Sequence, residues 1–335
     1  MFPVKTILAV DGGASKVDVA LVDIDGKVHS TVRRRGRFNF GLGSNGSLDG
    51  LARAVRSASS TTATLGVFCL AGTDLPLDDR RIAAQIEGRG WAKRTLIRND
   101  TFAVLRAGTD RTWGVAVVCG TGMNCSALGP DGRSVRFPSF GELSGDRAHG
   151  GGWLGRAALG VAIRARDGRG PRTVLEESIP AYFGMARPTA VMEAVYVGKL
   201  DHGRLSELSP LVLKAAAAGD AVGQGLIDEM TDEIVVTANA AIRRLHLTRR
   251  DVHVVLGGGV LRAMDAADIA RIVAGIRGVA PAAEIRQLDA PPVLGAALMG
   301  LDALRAPKAA QVRVRKALTG QDRPPRSPAR RRPQR

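Results

Sequence analysis

The chain has 335 residues, a formal net charge of +16 at pH 7, 45% hydrophobic residues and 24% charged residues. This composition is typical of a soluble globular protein of about two domains. No apolar run approaches the roughly 18–20 residues of a membrane-spanning helix, and the N-terminus lacks the layout of a signal peptide. Three cysteines cannot build a disulfide framework. We therefore expect a cytoplasmic protein without a membrane segment.

The first segment, residues 7–26, contains an apolar strand, a glycine-bearing turn, a second strand and an Asp-Gly hairpin. The same succession of parts returns at 115–132, which suggests two related halves. Between the two copies the pattern predicts further elements: helices over 48–57, 78–87 and 102–107, and strands over 65–70 and 95–98. The strand over 95–98 ends at Asn99-Asp100, and α/β sheets place ligands at such strand ends.

The second half continues with a glycine-dense loop over 141–155 and then mostly helix. A broad apolar face predicts a long helix from about Asp220 to Leu247. A strand over 251–256 ends in three consecutive glycines, and a final helix over 295–304 is expected to close the fold.

Positive charge is concentrated at the C-terminal end. Residues 306–335 carry ten Lys and Arg against one acid, Asp322, and so supply nine of the sixteen net charges. The last stretch, GQDRPPRSPARRRPQR, has almost nothing apolar to bury, and we predict a disordered basic tail over 306–335. Such a tail can bind an acidic partner or nucleic acid weakly through its charge, or it can remain simply solvated.

The turn from Asp11 to Lys16 offers backbone N–H groups, two glycines, a hydroxyl and an ammonium. These parts suit a nucleoside triphosphate, with Asp11 placed to act on Mg²⁺ or its water shell. The spacing is not that of a P-loop, and a strand rather than a helix follows the turn, which excludes a Rossmann fingerprint. Taken alone, the segment is explained equally well by an ordinary hairpin.

Two later glycine motifs have related properties. Gly120-Thr121-Gly122, between two apolar strands, also provides small residues and backbone N–H donors. Gly257-Gly258-Gly259, at a strand end, allows a ligand to lie flat against the backbone. Glycines at strand ends are common, but the order of these motifs together with Asn99-Asp100 is much harder to obtain by accident.

This set of motifs resembles the actin-like sugar-kinase and chaperone ATPase superfamily, and within it the N-acetylglucosamine kinase-like branch of the BadF/BadG/BcrA/BcrD ATPase family. The resemblance covers roughly residues 5–305. It implies an α/β fold, a two-lobed actin-like ATPase built from duplicated ribonuclease H-like domains, with the nucleotide cleft between the lobes. The implied parts are an N-terminal lobe (1–110), a C-terminal lobe (111–305) and the basic tail (306–335).

The resemblance also assigns residues to ATP and Mg²⁺. The two glycine hairpins would hold the ATP phosphates through Gly12, Gly13, Ala14, Ser15, Lys16, Gly120, Thr121 and Gly122. The late glycine motif would contact adenosine through Gly257, Gly258 and Gly259. Asp11 would act on Mg²⁺, directly or through water.

The sugar site follows from the kinase branch in the same way. Asn99-Asp100 matches the strand-end motif that carries the catalytic base, so Asp100 would accept the proton of a sugar hydroxyl. Asn39, Asn124 and Asp146 would bind the sugar. The last motif departs from the family pattern, since Arg147-Ala148-His149 follows Asp146. The resemblance implies phosphorylation of an amino sugar, N-acetylglucosamine to its 6-phosphate, by a homodimer.

Three alternatives stay open at this point: another sugar substrate, an ATPase that acts as a regulator or activator, and a nucleic-acid-binding protein that acts through its basic tail. The substrate can be another hexosamine or N-acetylmuramic acid, especially if the altered loop reshapes the pocket. The protein can instead be a BadF-type ATPase that acts as a regulator or activator. Some relatives are iron–sulfur activators, but Cys69 and Cys119 fall in predicted strands and Cys125 lies beside the second hairpin, which disfavours cluster ligation.

Overall fold

The computed structural model describes residues 4–36, 38, 40 and 46–320. Its first sheet contains five strands: β1 (Thr6–Gly12), β2 (Lys16–Asp23), β3 (Val28–Arg35), β4 (Leu65–Leu70) and β5 (Thr95–Asn99). They lie in the order β3-β2-β1-β4-β5. The central strands β1 and β4 are almost completely buried, because helices cover both faces of the sheet.

The second sheet repeats this arrangement with five more strands: β6 (Gly114–Cys119), β7 (Met123–Leu128), β8 (Ser134–Arg136), β9 (His253–Gly257) and β10 (Glu284–Gln287). Their order is β10-β9-β6-β7-β8. In each sheet the first three strands form an antiparallel meander and the last two are added in parallel. Gly26 and Gly132 have φ of 82° and 84° in the two predicted Asp-Gly turns. The expected duplication is confirmed.

The helices number twelve in the described residues: α1 (Gly46–Ala58), α2 (Pro76–Glu87), α3 (Asp100–Gly108), α4 (Gly151–Asp167), α5 (Leu175–Tyr182), α6 (Pro188–Tyr196), α7 (Ser209–Ala217), α8 (Ala221–Arg244), α9 (Gly259–Ala263), α10 (Ala266–Arg277), α11 (Val293–Ala303) and α12 (Lys308–Thr319). Short 3₁₀ helices occupy Gly141–Ser144 and His202–Leu208. Of the helices described, none has the length and apolarity to span a bilayer.

Helix α11, the predicted final helix, closes the fold on the first sheet, where it packs on α3, β1 and β4. The predicted division after residue 110 had placed this segment in the C-terminal lobe. A Cβ at Gly295 would overlap the Ala103 carbonyl oxygen, so the two helices touch backbone to backbone. We therefore use "N-terminal lobe" for the first sheet with α1–α3, α11 and α12, and "C-terminal lobe" for the second sheet with α4–α10.

The predicted disordered tail over 306–335 is wrong for its first part, because Lys308–Thr319 forms α12. Ala310 and Val314, four residues apart on one face, are buried in the N-terminal lobe. Arg315 donates to the carbonyl oxygens of Ala107 (2.8 Å) and Thr109 (2.7 Å) at the C-terminal end of α3. The rest of the predicted tail, 321–335, lies outside the described residues.

Candidate active site

A tight turn joins β1 to β2 and leaves its backbone accessible. The Gly13 N–H donates to the Lys16 carbonyl over 3.0 Å, and Ala14 and Ser15 are exposed. A Cβ at Gly13 would have only the Lys16 oxygen within 4 Å, so a ligand can approach this backbone closely. The Lys16 ammonium lies 3.0 Å from the Asp18 carboxylate. The turn has the shape expected of a phosphate-binding hairpin, and its contacts with ATP stay a prediction.

Asp11 and Asp100 are two carboxyls close enough for the charge of Asp100 to raise the pKa of Asp11. Asp11 lies near the end of β1 and is 5% exposed. Burial, and the neighbouring Asp100, raise the pKa of Asp11 to about 8. Burial, followed by the charge of Asp74, raises the pKa of Asp100 to about 7. A carboxyl with a pKa near 7 is suited to take a proton at neutral pH.

Asn99 rather than Asp100 caps helix α3. Its side-chain oxygen accepts from the Thr101 backbone N–H over 3.1 Å and from the Thr101 hydroxyl over 2.6 Å. That hydroxyl is also 2.6 Å from the Ser126 hydroxyl on β7, so α3 is tied to the C-terminal lobe at its first turn. Asn99 therefore caps α3, while the backbone N–H groups of Asp100 and Thr101 also hydrogen-bond to the Asp100 carboxyl and lower its pKa.

The second glycine hairpin, between β6 and β7, is held in place by the start of α4. Gly120 N–H donates to the Gly122 carbonyl over 2.8 Å, and Thr121 and Gly122 are exposed. Gly151 N–H donates to the Gly120 carbonyl over 2.7 Å. A Cβ at Gly150, where φ is +95°, would overlap the Gly122 backbone. The glycines of the 141–155 loop therefore allow this close packing, a role that the sequence pattern did not reveal.

The three late glycines differ in their surroundings. Gly257 is buried at the end of β9, and Gly258 has φ of +103° in a place where an added Cβ would overlap the Cys119 carbonyl. Gly259 starts α9, and a Cβ added there would have no atom within 4 Å. The structure brings this motif next to the second hairpin, since a Cβ on Gly120 would lie 3.8 Å from the Gly259 nitrogen. Only Gly259 of the three faces open space.

This difference predicts that substitution of Gly258 lowers stability, whereas substitution of Gly259 affects ATP binding. Gly258→Ala is expected to destabilise the fold by roughly 2–4 kcal/mol, because it forces a Cβ into a backbone carbonyl at positive φ. Gly259→Leu should fold normally but raise the KM for ATP about tenfold or more, a loss of roughly 1.4 kcal/mol, if adenosine lies there. Thermal unfolding and ADP-release kinetics measure the two effects, and an unchanged KM in Gly259→Leu would contradict the adenosine assignment.

Asn124, predicted to bind the sugar, is linked to a residue that sequence reasoning missed. Asp74 follows β4 and is 5% exposed. Its Oδ1 accepts from the Asn99 amide (2.9 Å) and from the Asn124 amide (2.8 Å). The signal that identified Asp100, an acid just after a buried strand, is also present at Asp74, where β4 ends at Leu70.

Asp146 lies in the loop after the 3₁₀ helix Gly141–Ser144. Its Oδ2 accepts from the Ser144 hydroxyl over 2.7 Å. Glu233 of α8, nearly buried, accepts from the backbone N–H of Arg147 and holds the altered loop from the other side. His149, in the same loop, is 3.2 Å from Glu142. The third predicted sugar residue, Asn39, lies outside the described residues.

The donor set is compatible with Mg²⁺ and ATP. In the described part of the chain no three His, Cys, Asp or Glu side chains are grouped as a metal site. Magnesium commonly uses one or two carboxylates and completes its shell with phosphate oxygens and water. Asp11 can supply such a carboxylate, and a cation beside it would offset the burial and the Asp100 charge that raise its pKa. The open backbone at Gly13, Gly122 and Gly259 leaves room for the nucleotide.

The raised pKa values of Asp11 and Asp100 predict that the ligand-free protein becomes less stable as pH rises. Both carboxyls have folded-state pKa values above 3.8, so the folded state binds more protons than the unfolded state between about pH 4 and 8. Their contribution is complete below the unfolded pKa and is lost as pH rises through 7–8. Urea unfolding of the wild type and of Asp11→Asn should show this difference.

The variant is expected to lose less stability than the wild type between pH 5 and 8, by roughly 1–3 kcal/mol. Comparing slopes cancels the contributions of carboxyls such as Asp23 and Asp220, whose pKa values are lowered. Asp49→Asn, an exposed carboxyl on α1, serves as the control. Identical slopes in the wild type and Asp11→Asn would contradict the prediction.

Solved structures define the class of protein to which this fold belongs. A candidate N-acetylglucosamine kinase from Chromobacterium violaceum superimposes with a TM-score of 0.68 at 24% identity, covering 88% of this chain and 99% of that one. A ROK family glucokinase from Streptomyces griseus, solved with glucose and AMPPNP, gives a TM-score of 0.54 at 17% identity, over 88% and 98% of the two chains. At these identities the likeness shows the fold alone, and it confirms the expected two-lobed actin-like architecture.

The sequence comparison is more specific. The BadF/BadG/BcrA/BcrD ATPase family matches residues 8–300, and the chain belongs to this family. An N-acetylmuramic acid/N-acetylglucosamine kinase of Clostridium acetobutylicum is 25% identical over 268 residues, 77% of this chain and 86% of that protein. An N-acetyl-D-glucosamine kinase of Dictyostelium discoideum is 24% identical over 317 residues, 89% and 98% of the two chains. The resemblance inferred from the motifs is confirmed.

Proposed function

We propose that this protein is an ATP-dependent kinase of an amino sugar, and that it converts N-acetylglucosamine to the 6-phosphate with Asp100 as general base. The observation that carries the proposal is the position of Asp100. The Asp100 carboxyl has a pKa of about 7 and lies at the start of α3, beside Asp11. Asp74, whose charge acts on Asp100, also accepts a hydrogen bond from the amide of Asn124. Membership of an ATPase family and two relatives named as amino-sugar kinases support the same reaction class.

In this proposal Asp100 accepts the proton of the primary sugar hydroxyl as its oxygen attacks the γ-phosphate. The exposed N–H groups of the two hairpins bind the phosphate oxygens and hold them in line with that hydroxyl. Mg²⁺, held by Asp11 when bound, would supply charge compensation on the phosphates. Asn39, Asn124 and Asp146 would bind and orient the sugar.

A muramic-type substrate is the second candidate, and one observation favours it. The altered loop presents Arg147 as an exposed cation and places His149 between Glu142 and Arg156. Positive charge beside the sugar site would suit a sugar with an anionic substituent, and the Clostridium relative is named for both sugars. N-acetylmuramic acid therefore belongs in any substrate panel.

The activator alternative receives no support from the cysteines. Cys69, Cys119 and Cys125 are all buried, and burial raises the pKa of Cys119 and of Cys125 to about 12. Cluster ligands are thiolates, which these surroundings strongly disfavour. An ATPase that regulates a partner remains distinguishable by its indifference to sugars.

The test is ADP release by the purified full chain with Mg²⁺-ATP, without sugar and with N-acetylglucosamine, glucosamine, glucose, N-acetylmannosamine or N-acetylmuramic acid. We expect release that depends on N-acetylglucosamine, and mass spectrometry of the product should show one added phosphoryl group. Release that depends only on N-acetylmuramic acid would establish the second candidate. Release indifferent to every sugar would overturn the kinase proposal in favour of the ATPase.

A further inference from the structure

One buried carboxylate joins the two lobes behind the proposed sugar site. Asp74 belongs to the N-terminal lobe, and its Oδ1 accepts from Asn99 of the same lobe and from Asn124 of the C-terminal lobe. The two N···O distances, 2.9 and 2.8 Å, are those of good hydrogen bonds. A single oxygen atom therefore fixes the separation of these two amides.

The contact also determines the orientation of the Asn124 amide. Its Nδ2 donates to Asp74, while its Oδ1 accepts from the Cys125 backbone N–H over 2.7 Å. Both ends of the amide have a partner of the required kind, so the flipped orientation would place an oxygen against a carboxylate. One N–H of the partly exposed amide remains for a ligand. Asn124 is thus set to present a donor, which suits an acceptor oxygen on the sugar.

The other partner of Asp74 controls the helix that carries the base. Asn99 is fully buried, and its amide donates to Asp74 and, over 3.4 Å, to the carbonyl of Thr73. Its oxygen caps α3 at Thr101, one residue after Asp100. Any movement of Asp74 would therefore shift the cap of α3 and the Asn124 amide together.

We propose that Asp74 is a positioning residue that holds the Asn124 amide and the cap of the Asp100 helix in one fixed arrangement across the cleft. This inference rests on the proposed function, because it assigns Asn124 to the sugar and Asp100 to the reaction. Burying the Asp74 carboxyl costs free energy, and a positioning role would explain why the cost is tolerated. Burial raises the pKa of Asp74 although Asn124 donates to it and Arg136 lies near. The acid Asp78 on α2 adds to that cost.

The experiment measures sugar and ATP kinetics of D74A, D74N, N124A and the double variant D74A/N124A. D74A should raise the KM for the sugar about tenfold or more and lower kcat, with the KM for ATP unchanged. D74N retains an oxygen that can accept from both amides, so its sugar KM should stay within about threefold of the wild type. Because Asp74 acts on the sugar through Asn124, the double variant should have the same sugar KM as N124A.

Two further variants separate positioning from simple stability. D78A removes another buried carboxylate of the same segment, whose Oδ2 accepts from the Leu75 N–H over 2.9 Å. It should lower the melting temperature without a selective rise in the sugar KM. If D74A does not fold, the exchanged pair D74N/N124D keeps a hydrogen bond between the two positions, gives up the one from Asn99, and presents carboxylate oxygen to the sugar. Its sugar KM should rise as in N124A.

A folded D74A with an unchanged sugar KM would overturn the inference. It would also be overturned if the rise in sugar KM of the double variant equals the product of the rises in D74A and N124A. For D74N/N124D, a wild-type sugar KM would overturn it too. These outcomes require a wild type that releases ADP only with sugar. Wild-type protein lacking that dependence would overturn the proposed function itself, so the two failures are distinguishable.

Discussion

Asp100→Asn is expected to lower kcat for sugar-dependent ADP release by roughly 10²–10⁴-fold, the usual contribution of a general base. With a pKa of about 7, much of the Asp100 carboxyl is ionised at pH 7.5 and can take the hydroxyl proton. The amide has the same shape but no basic oxygen at this pH. Asn99 still caps α3 in this variant, and the amide oxygen of Asn can accept the backbone N–H groups that the Asp100 carboxyl accepts at the helix start.

Stability and nucleotide binding distinguish loss of chemistry from loss of structure in this variant. Removing one of two mutually repelling carboxyls should leave the melting temperature unchanged or raise it at pH 8. The KM for ATP should stay within about threefold of the wild type. Asp49→Asn, on the exposed face of α1, is the matched control and should retain full activity. A kcat within tenfold of the wild type would exclude Asp100 as the base.

The sequence could predict the parts of this site that are local. A glycine turn between two apolar strands is encoded within a dozen residues, and both Asp-Gly turns have the positive φ that the pattern requires. The strand over 95–98 and the start of a helix near 102 were equally local, and they placed Asp100 correctly at the strand end.

What the sequence could not show depends on contacts between distant residues. Asp74 and Asn124 are fifty residues apart, and only the meeting of two sheets makes them partners. The return of α11 to the first sheet depends on Gly295 fitting against α3, which no periodicity reveals. Helix α12 was not predicted for a different reason. The composition was averaged over 306–335, and this range combines a helix-forming segment with the Pro- and Arg-rich end.

Ending the chain after residue 306 is therefore expected to destabilise the protein by several kcal/mol and lower its melting temperature by about 10 °C. The truncation exposes the surface that Val314 and Ala310 cover, and it removes the guanidinium of Arg315 from the carbonyls of α3. A chain ending at Gly320 keeps α12 and should melt as the full chain does. Differential scanning calorimetry of the three chains makes this comparison.

Helix α12 is also expected to affect activity, because it contacts α3, the helix that begins with Asp100. Arg315 satisfies carbonyl groups at the C-terminal end of α3, while Asp74 and Asn99 hold its N-terminal end. Arg315→Met keeps the apolar stem but removes these hydrogen bonds. It should reproduce part of the stability loss and lower kcat without changing the KM for ATP. If the chain ending after residue 306 melts like the full chain, α12 contributes nothing to holding α3, and its packing would have to be rejected.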